Sequence, residues 1–251
     1  MDIDEANEKI TEKTKAIIPV HLSGGICDMG VLKNNIPIIE DAAQAFGATF
    51  GTGFDYIDGQ PSNDYKAGGY GKIGCFSFYP AKILGGFGDA GAITTNNREI
   101  ADWIRDYRNH CKDKPGEDGM NSRLDNLQAA FLNVKIKYIK RILARRKEIA
   151  EMYDDGLLEV AEVISPKSQD VYQDYIIRTG TRNKLFEYLK KKGIETMRPP
   201  ILPHIELKIK VKLPKTEEYN KQFLRLPCNE TLTDREVKYV IKEIRKFYGV
   251  R

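Results

Sequence analysis

The chain has 251 residues, of which 41% are hydrophobic and 10% aromatic, too apolar and too aromatic for a disordered chain. Lys and Arg number 40 against 36 for Asp and Glu, and a net charge of +4 makes no case for nucleic acid by itself. The length fits one large domain or two smaller ones, either able to bury a core.

Cys27, Cys75, Cys111 and Cys228 lie far apart with no C-x-x-C, which argues against a zinc site or a redox pair. They read as reduced thiols and favour a cytoplasmic protein. The opening Met1-Asp2-Ile3-Asp4-Glu5 lacks the apolar centre of a signal peptide, and no apolar run approaches a membrane span. The expectation is a protein with no membrane and no nucleic-acid partner.

In chain order, Asp4 to Thr14 is a short polar helix candidate. Ala16 to Leu22, Ile36 to Asp41, Cys75 to Tyr79 and Ala92 to Thr95 read as four buried strands, with room for short helices at Gly25 to Asn34 and Ala42 to Ala48. This is an α/β pattern with a mostly parallel sheet. Gly51 to Gly71 reads as one long loop rich in Gly, Asp and Tyr. Leu124, Leu127, Phe131, Val134, Tyr138 and Ile142 recur at helical spacing and predict the apolar face of one long helix. Its other face carries Lys135, Lys137, Lys140, Arg141, Arg145 and Arg146 and reads as solvated. A strand at Tyr172 to Thr179, a helix at Asn183 to Lys192 ended by Gly193, a strand near Ile194 to Met197, and a helix capped at Thr233 or Asp234 complete a small α+β unit. The domain expectation is 1–122, a connecting helix at 123–158, and 159–251.

Several chemistries fail on context. Gly86-Phe87-Gly88-Asp89-Ala90-Gly91 matches a dinucleotide fingerprint but precedes a strand instead of a helix. Gly71-Lys72 is followed by Ile73, so it is no phosphate loop of the Walker type. His21, His110 and His204 are separated from one another and from cysteine pairs, so no metal is expected. No nucleophile elbow accompanies any serine. What remains is Lys82, just after a buried strand, with Gly85, Gly86, Gly88 and Gly91 behind it, and Asp41, closing another buried strand. A desolvated lysine makes a Schiff-base nucleophile. An aspartate beyond a strand's carboxyl end can hold a pyridine nitrogen protonated. Taken singly, each residue has an ordinary structural reading as well.

The wording of five segments adds to this. In order, they are Thr14 to Leu22, Ile39-Glu-Asp-Ala-Ala-Gln-Ala-Phe-Gly-Ala48, Cys75-Phe-Ser-Phe-Tyr-Pro-Ala-Lys82, Gly88-Asp-Ala-Gly-Ala92 and Gly119-Met-Asn-Ser-Arg-Leu-Asp-Asn-Leu-Gln-Ala-Ala130. The chain resembles the DegT/DnrJ/EryC1/StrS family of sugar aminotransferases. The resemblance implies a fold-type-I large domain, present in part, followed by a small α+β domain, with pyridoxal 5'-phosphate as cofactor. It implies that Lys82 is the Schiff-base lysine and proton carrier, Asp41 the partner of the pyridinium nitrogen, Gln44 a contact to the ring or its oxygen, and Ser77 a phosphate ligand. Asn121 would reach the phosphate in the partner subunit's site of a homodimer. The implied reaction moves an amine from an amino-acid donor, glutamate, to a nucleotide-linked keto-sugar for surface glycan or glycoconjugate synthesis. Lysine at position 82, where some members have histidine, favours the aminotransferase branch over the dehydratases.

The chain departs from the family pattern in three places. Relatives carry further chain, on the order of a hundred residues, before the segment matching Thr14 to Leu22. The expectations that follow are exposed sheet edges and either an enzyme working with a separate N-terminal polypeptide or a catalytically incomplete fragment. The Gly51 to Gly71 loop is longer than the usual connection. In the small domain, Gln173-Asp174 and Met197-Arg198-Pro199-Pro200 replace histidine-containing segments, and Arg198 stands out as a candidate phosphate or carboxylate ligand.

Overall fold

The computed structural model describes residues 1–30, 32, 36–49, 65–160, 162–163, 171–200 and 202–250, without the side chains of 162, 163 and 203. Most of the predicted Gly51 to Gly71 loop falls outside the described residues. The chain forms two compact units, Met1–Ile142 with Lys167–Val171, and Leu143–Pro166 with Tyr172–Arg251.

The first unit opens with helix α1 (Ile3–Glu8), capped by the Asp2 carboxylate accepting from the Glu5 N–H. Its sheet has the order β1 (Ile39–Asp41), β2 (Ile73–Ser77), β3 (Gly91–Thr94). β1 and β2 run parallel, with Asp41 opposite Cys75, and β3 runs antiparallel to β2, with Gly91 opposite Ser77. On the outer side of β1, Ile17 bridges Ile38 and Val20 bridges Asp41, both parallel. The four predicted strands therefore lie side by side in chain order, the first of them making bridges only. Ala42 to Ala48, where a helix was expected, makes tight turns instead, Ala45 N–H to the Ala42 carbonyl and Ala48 N–H to the Ala45 carbonyl. Gly47 at φ 90 breaks any helical continuation there.

Helix α2 (Arg98–Tyr107) follows, capped by Asn97. The predicted long helix is α3 (Asn126–Lys135) and α4 (Ile139–Leu157), joined through a 3₁₀ turn at Ile136–Tyr138. Only part of its predicted apolar stripe is buried: Ile142 is buried, and Leu124 is half-buried against the Phe78 cluster. Leu127, Phe131, Val134 and Tyr138 are 67%, 39%, 57% and 49% exposed. Leu132 and Ile142 are buried, on a line with half-buried Gln128, Lys135 and Ile139. Leu132 packs with Phe78 and Leu84, which is why the inward line is the one facing the glycine-rich loop.

The second unit contains most of α4, then β4 (Glu162–Val163), β5 (Tyr175–Arg178), α5 (Arg182–Lys191), α6 (Pro203–Glu206), α7 (Pro214–Gln222), β6 (Phe223–Leu226) and α8 (Asp234–Phe247). The sheet order is β4, β5, β6, all antiparallel, and Met197 adds an antiparallel bridge to Arg225. Alternation along β5 and β6 turns Tyr175, Ile177, Leu224 and Leu226 inward. They meet Ile149, Tyr153 and Leu157 of α4, Leu185 and Leu189 of α5, and Val237, Val240 and Ile244 of α8. A capping box starts α8: the Thr233 hydroxyl accepts from the Glu236 N–H while the Glu236 carboxylate accepts from the Thr233 N–H.

Candidate active site

The parallel pairing of β1 with β2 brings both carboxyl ends to one edge of the first sheet. Asp41 is the last residue of β1 and Ser77 the last of β2. After Ser77 the chain turns, with the Lys82 N–H donating to the Tyr79 carbonyl at 2.8 Å, so half-buried Lys82 stands at the same edge. No described residue makes a hydrogen bond or ion pair with its ammonium group. Gln44, in the turns after β1, lies there too, its Oε1 accepting from the Ser23 N–H at 2.6 Å. That bond ties the turn after β1 to the turn after the Ile17–Val20 segment. The Asp41 Oδ1 accepts from the Ala43 N–H at 3.1 Å, leaving Oδ2 for another donor.

The structure thus brings together four of the five predicted site residues: Asp41, Gln44, Ser77 and Lys82. Asn121 lies on the connection between α2 and α3. It is exposed, bridged to Asn109, and its Oδ1 accepts from the Arg123 Nε at 3.1 Å.

The loop behind Lys82 is held closed by glycine and by α3. A Cβ at Gly85 would stand 2.3 Å from the Pro80 carbonyl oxygen, and one at Gly91 would stand 2.7 Å from that of Phe76. The Gly86 N–H donates to the Phe78 carbonyl at 2.8 Å. From α3, Gln128 accepts from the Phe87 N–H at 2.8 Å and the Lys135 ammonium donates to the Gly85 carbonyl at 3.1 Å. These two polar side chains of α3 escape a reading that looks only for its apolar face.

Glu40 is the second feature the sequence reading did not single out. Side chains alternate along a strand, so Glu40 leaves the sheet on the face opposite Asp41. It is fully buried, and its carboxylate accepts from His21 Nε2 at 2.9 Å and from the Gly68, Tyr70 and Gly71 N–H groups at 2.7, 2.8 and 2.6 Å. His21 Nδ1 accepts from the Cys27 N–H, so the neutral ring carries its proton on Nε2 and donates it to Glu40. The turn can lie this close because Gly74 has no side chain: a Cβ there would meet Gly68 at 2.4 Å. Gly68 itself needs φ +78. Burial alone would raise the Glu40 carboxyl, but the bonds from His21, Gly71 and Gly68 outweigh it and hold the group below the usual carboxylate range. Glu40 therefore clamps the Ile17–Val20 segment, β1 and the approach to β2 on one face while Asp41 is presented on the other. The Cys75 thiol, opposite Asp41, is raised by burial and then by the charges of Asp41 and Glu40.

The DegT/DnrJ/EryC1/StrS aminotransferase family matches residues 1–245. A pleiotropic regulatory protein of Geobacillus stearothermophilus is 36% identical over 99% of this chain and 69% of its own length. A dTDP-3-amino-3,4,6-trideoxy-alpha-D-glucose transaminase of Streptomyces venezuelae is 32% identical over 95% of this chain and 65% of its own. The chain thus spans about two thirds of the length of these relatives. Among solved structures, that of S. venezuelae DesV in complex with a ketimine intermediate superposes with a TM-score of 0.85 at 31% identity, covering 98% of this chain and 68% of that one. Bacillus subtilis NtdA with bound cofactor PMP superposes with 0.83 at 27% identity, covering 99% and 60%. The fold is the α/β architecture of the fold-type-I sugar aminotransferases. This chain belongs to the DegT/DnrJ/EryC1/StrS aminotransferase family.

Proposed function

We propose that the chain acts as a pyridoxal-phosphate-dependent aminotransferase on a nucleotide-linked keto-sugar, with glutamate as amino donor, in glycan or glycoconjugate synthesis. The observation that carries this reading is the placement of Lys82 and Asp41 at one edge of a parallel strand pair. The donor set fits the cofactor: an ammonium group without a protein partner among the described residues, a carboxylate oxygen to spare, and a hydroxyl at the end of β2. When bound, pyridoxal phosphate supplies the electron sink that makes the carbon next to nitrogen acidic. The Lys82 amine would serve there as general base and acid for that proton. Asp41 holds a proton on the ring nitrogen. The Ser77 hydroxyl, which accepts from the Tyr79 N–H at 3.3 Å, donates its own hydrogen to the phosphate. Gln44 keeps its amide nitrogen for the cofactor because its oxygen is committed to Ser23. The exposed Leu127, Phe131 and Val134 of α3, with Phe87 packed on Phe131 at 4.6 Å, support a homodimer in which a second copy covers this strip. In that homodimer Asn121 serves the partner's site.

The test is absorption spectroscopy with added pyridoxal phosphate, followed by borohydride reduction and peptide mapping. The chain is expected to gain a visible band and a covalent label on Lys82, both lost in Lys82→Ala while the melting temperature stays within a few degrees. A band of equal strength in Lys82→Ala would overturn the assignment.

A further inference from the structure

From the end of α6 to the start of α7 the second unit displays the stretch Ile205-Glu206-Leu207-Lys208-Ile209-Lys210-Val211-Lys212-Leu213. Apolar and charged residues alternate along it. Ile205, Leu207, Ile209 and Val211 are 54%, 69%, 54% and 39% exposed. Lys208, Lys210 and Lys212 are exposed as well, and no described residue pairs with their ammonium groups. Glu206 is the only acidic residue in the stretch. Single exposed apolar side chains are ordinary, but four turned outward within seven residues mark a surface that something covers.

The loop has a defined shape. α6 closes in a Schellman motif: Lys208 sits at φ 54, its N–H donates to the Ile205 carbonyl at 3.2 Å, and the Ile209 N–H reaches back to the His204 carbonyl at 2.8 Å. The Val211 N–H then donates to the Ile209 carbonyl at 2.8 Å, a second tight turn centred on Lys210. At the base, Glu217 in the first turn of α7 accepts from the Leu213 N–H at 3.1 Å and from Nε2 of the buried His204 at 3.2 Å. These bonds hold the Glu217 carboxyl below the usual carboxylate range. One carboxylate thus ties both ends of the loop, and the apolar and cationic side chains between them are displayed outward.

We propose that this loop docks the protein on an anionic lipid surface. A bilayer interface supplies both partners the loop lacks, an apolar layer for the branched side chains and anionic headgroups for the lysines, and it demands no matching shape. The turns at Lys208 and Lys210 interrupt the regular ladder that an added β-strand would need. A second copy would set three lysines against three. No helix of the described residues is long and apolar enough to cross a membrane, and docking on a surface requires none. The proposal rests on the loop alone and does not depend on Lys82.

Flotation of the full chain with vesicles tests it, using phosphatidylcholine alone or mixed with phosphatidylglycerol. Binding is expected to the mixed vesicles only, and to fall as salt rises. Lys210→Ser should weaken it about fivefold, and Lys208→Ser with Lys210→Ser about twentyfold or more. Leu207→Ser with Ile209→Ser should weaken it about tenfold or more. Every substituted side chain is exposed, so the melting temperature should not move. Lys140→Ser, at an exposed position of α4, should leave binding unchanged. In a Trp103→Phe background, the emission of Leu207→Trp should shift to the blue with mixed vesicles. Equal binding to phosphatidylcholine alone, an equal loss in Lys140→Ser, or an unshifted Leu207→Trp emission overturns the proposal. Self-association in sedimentation velocity that Leu207→Ser with Ile209→Ser abolishes also overturns it, and assigns the strip to a second copy. The double lysine variant should keep the pyridoxal-phosphate band expected of Lys82, so the two proposals fail separately.

Discussion

Glu40 in the first unit and Arg146 in the second are opposite charges buried by the same device. Glu40 collects the N–H groups of Gly68, Tyr70 and Gly71 together with His21. Arg146, 5% exposed, gives its hydrogens to the carbonyls of Tyr172, Gln173 and Cys228 and to the Glu230 carboxylate. Each is satisfied mostly by backbone, which is what a charge requires when water is excluded. Their surroundings differ. Arg146 borders a continuous apolar cluster that includes Tyr153, Tyr175, Leu185, Leu224 and Ile244. Around the candidate site the described clusters are small, Met29 with Leu32 and Ile38, and Phe78 with Leu84 and Leu132. The second unit is held chiefly by burial, with Arg146 fastened inside it. The edge that carries Lys82 and Asp41 is held by glycine turns and polar bonds, which fix position without filling a core.

The largest effect should come from breaking the fastening that sits on the bigger core. Arg146→Met would leave the Glu230 carboxylate and three carbonyls without their shared donor, a loss of about 3–5 kcal/mol. Circular dichroism in urea should show the second unit unfolding at lower denaturant. Trp103, the chain's single tryptophan, lies on α2 in the first unit and should report a smaller change. The reciprocal substitution, Glu40→Gln, places an amide where the site needs acceptors only. The new NH₂ would face either a pair of backbone N–H groups or His21 Nε2–H with the Gly68 N–H, at a cost of about 2–3 kcal/mol. Here Trp103 fluorescence should move first. Equal shifts of both signals in both variants would mean that the two units unfold as one.

These charges were only partly legible in the sequence. Asp41 and Lys82 stand out because each ends a short apolar run, and strand ends in α/β sheets point at a shared edge. Glu40 is in the same run, yet its partners are backbone groups some 30 residues away, and the Gly68–Gly71 turn reads simply as part of a long loop. The usable signal is a glutamate directly after Ile36-Pro37-Ile38-Ile39 and a histidine within the run Ala16 to Leu22, since neither is at ease in a buried strand without a partner. Arg146 belongs, by charge, to a basic face that reads as solvated. Its spacing said otherwise, because it lies four residues after Ile142 and three before Ile149, on the buried line. Leu127, Phe131 and Val134 are the converse case, an apolar helix face that is exposed in the single chain. Their periodicity identifies an apolar face, but periodicity does not say which surface covers it.

The comparison sharpens further through pH. The Glu40 carboxyl is held below its ordinary range in the folded chain, with burial opposing and the hydrogen bonds from His21 and the Gly71 and Gly68 N–H groups prevailing. An unfolded glutamate titrates near about 4.3. The folded form therefore binds this proton less readily than the unfolded form. Its contribution to stability is fully present above about pH 4.3 and is lost as pH falls through the lower folded value. A protonated Glu40 also turns one oxygen into a donor facing a donor, which loosens the Gly68–Gly71 turn while Asp41 is still in place. The Trp103-detected melting temperature of the native chain should accordingly be flat from pH 7 to about 5 and fall below about 4. Glu40→Gln should begin lower and fall less over the same interval, because glutamine has no proton to gain. If the two curves drop in parallel below pH 4, the acid sensitivity of the first unit belongs to other carboxylates and not to the clamp behind Asp41.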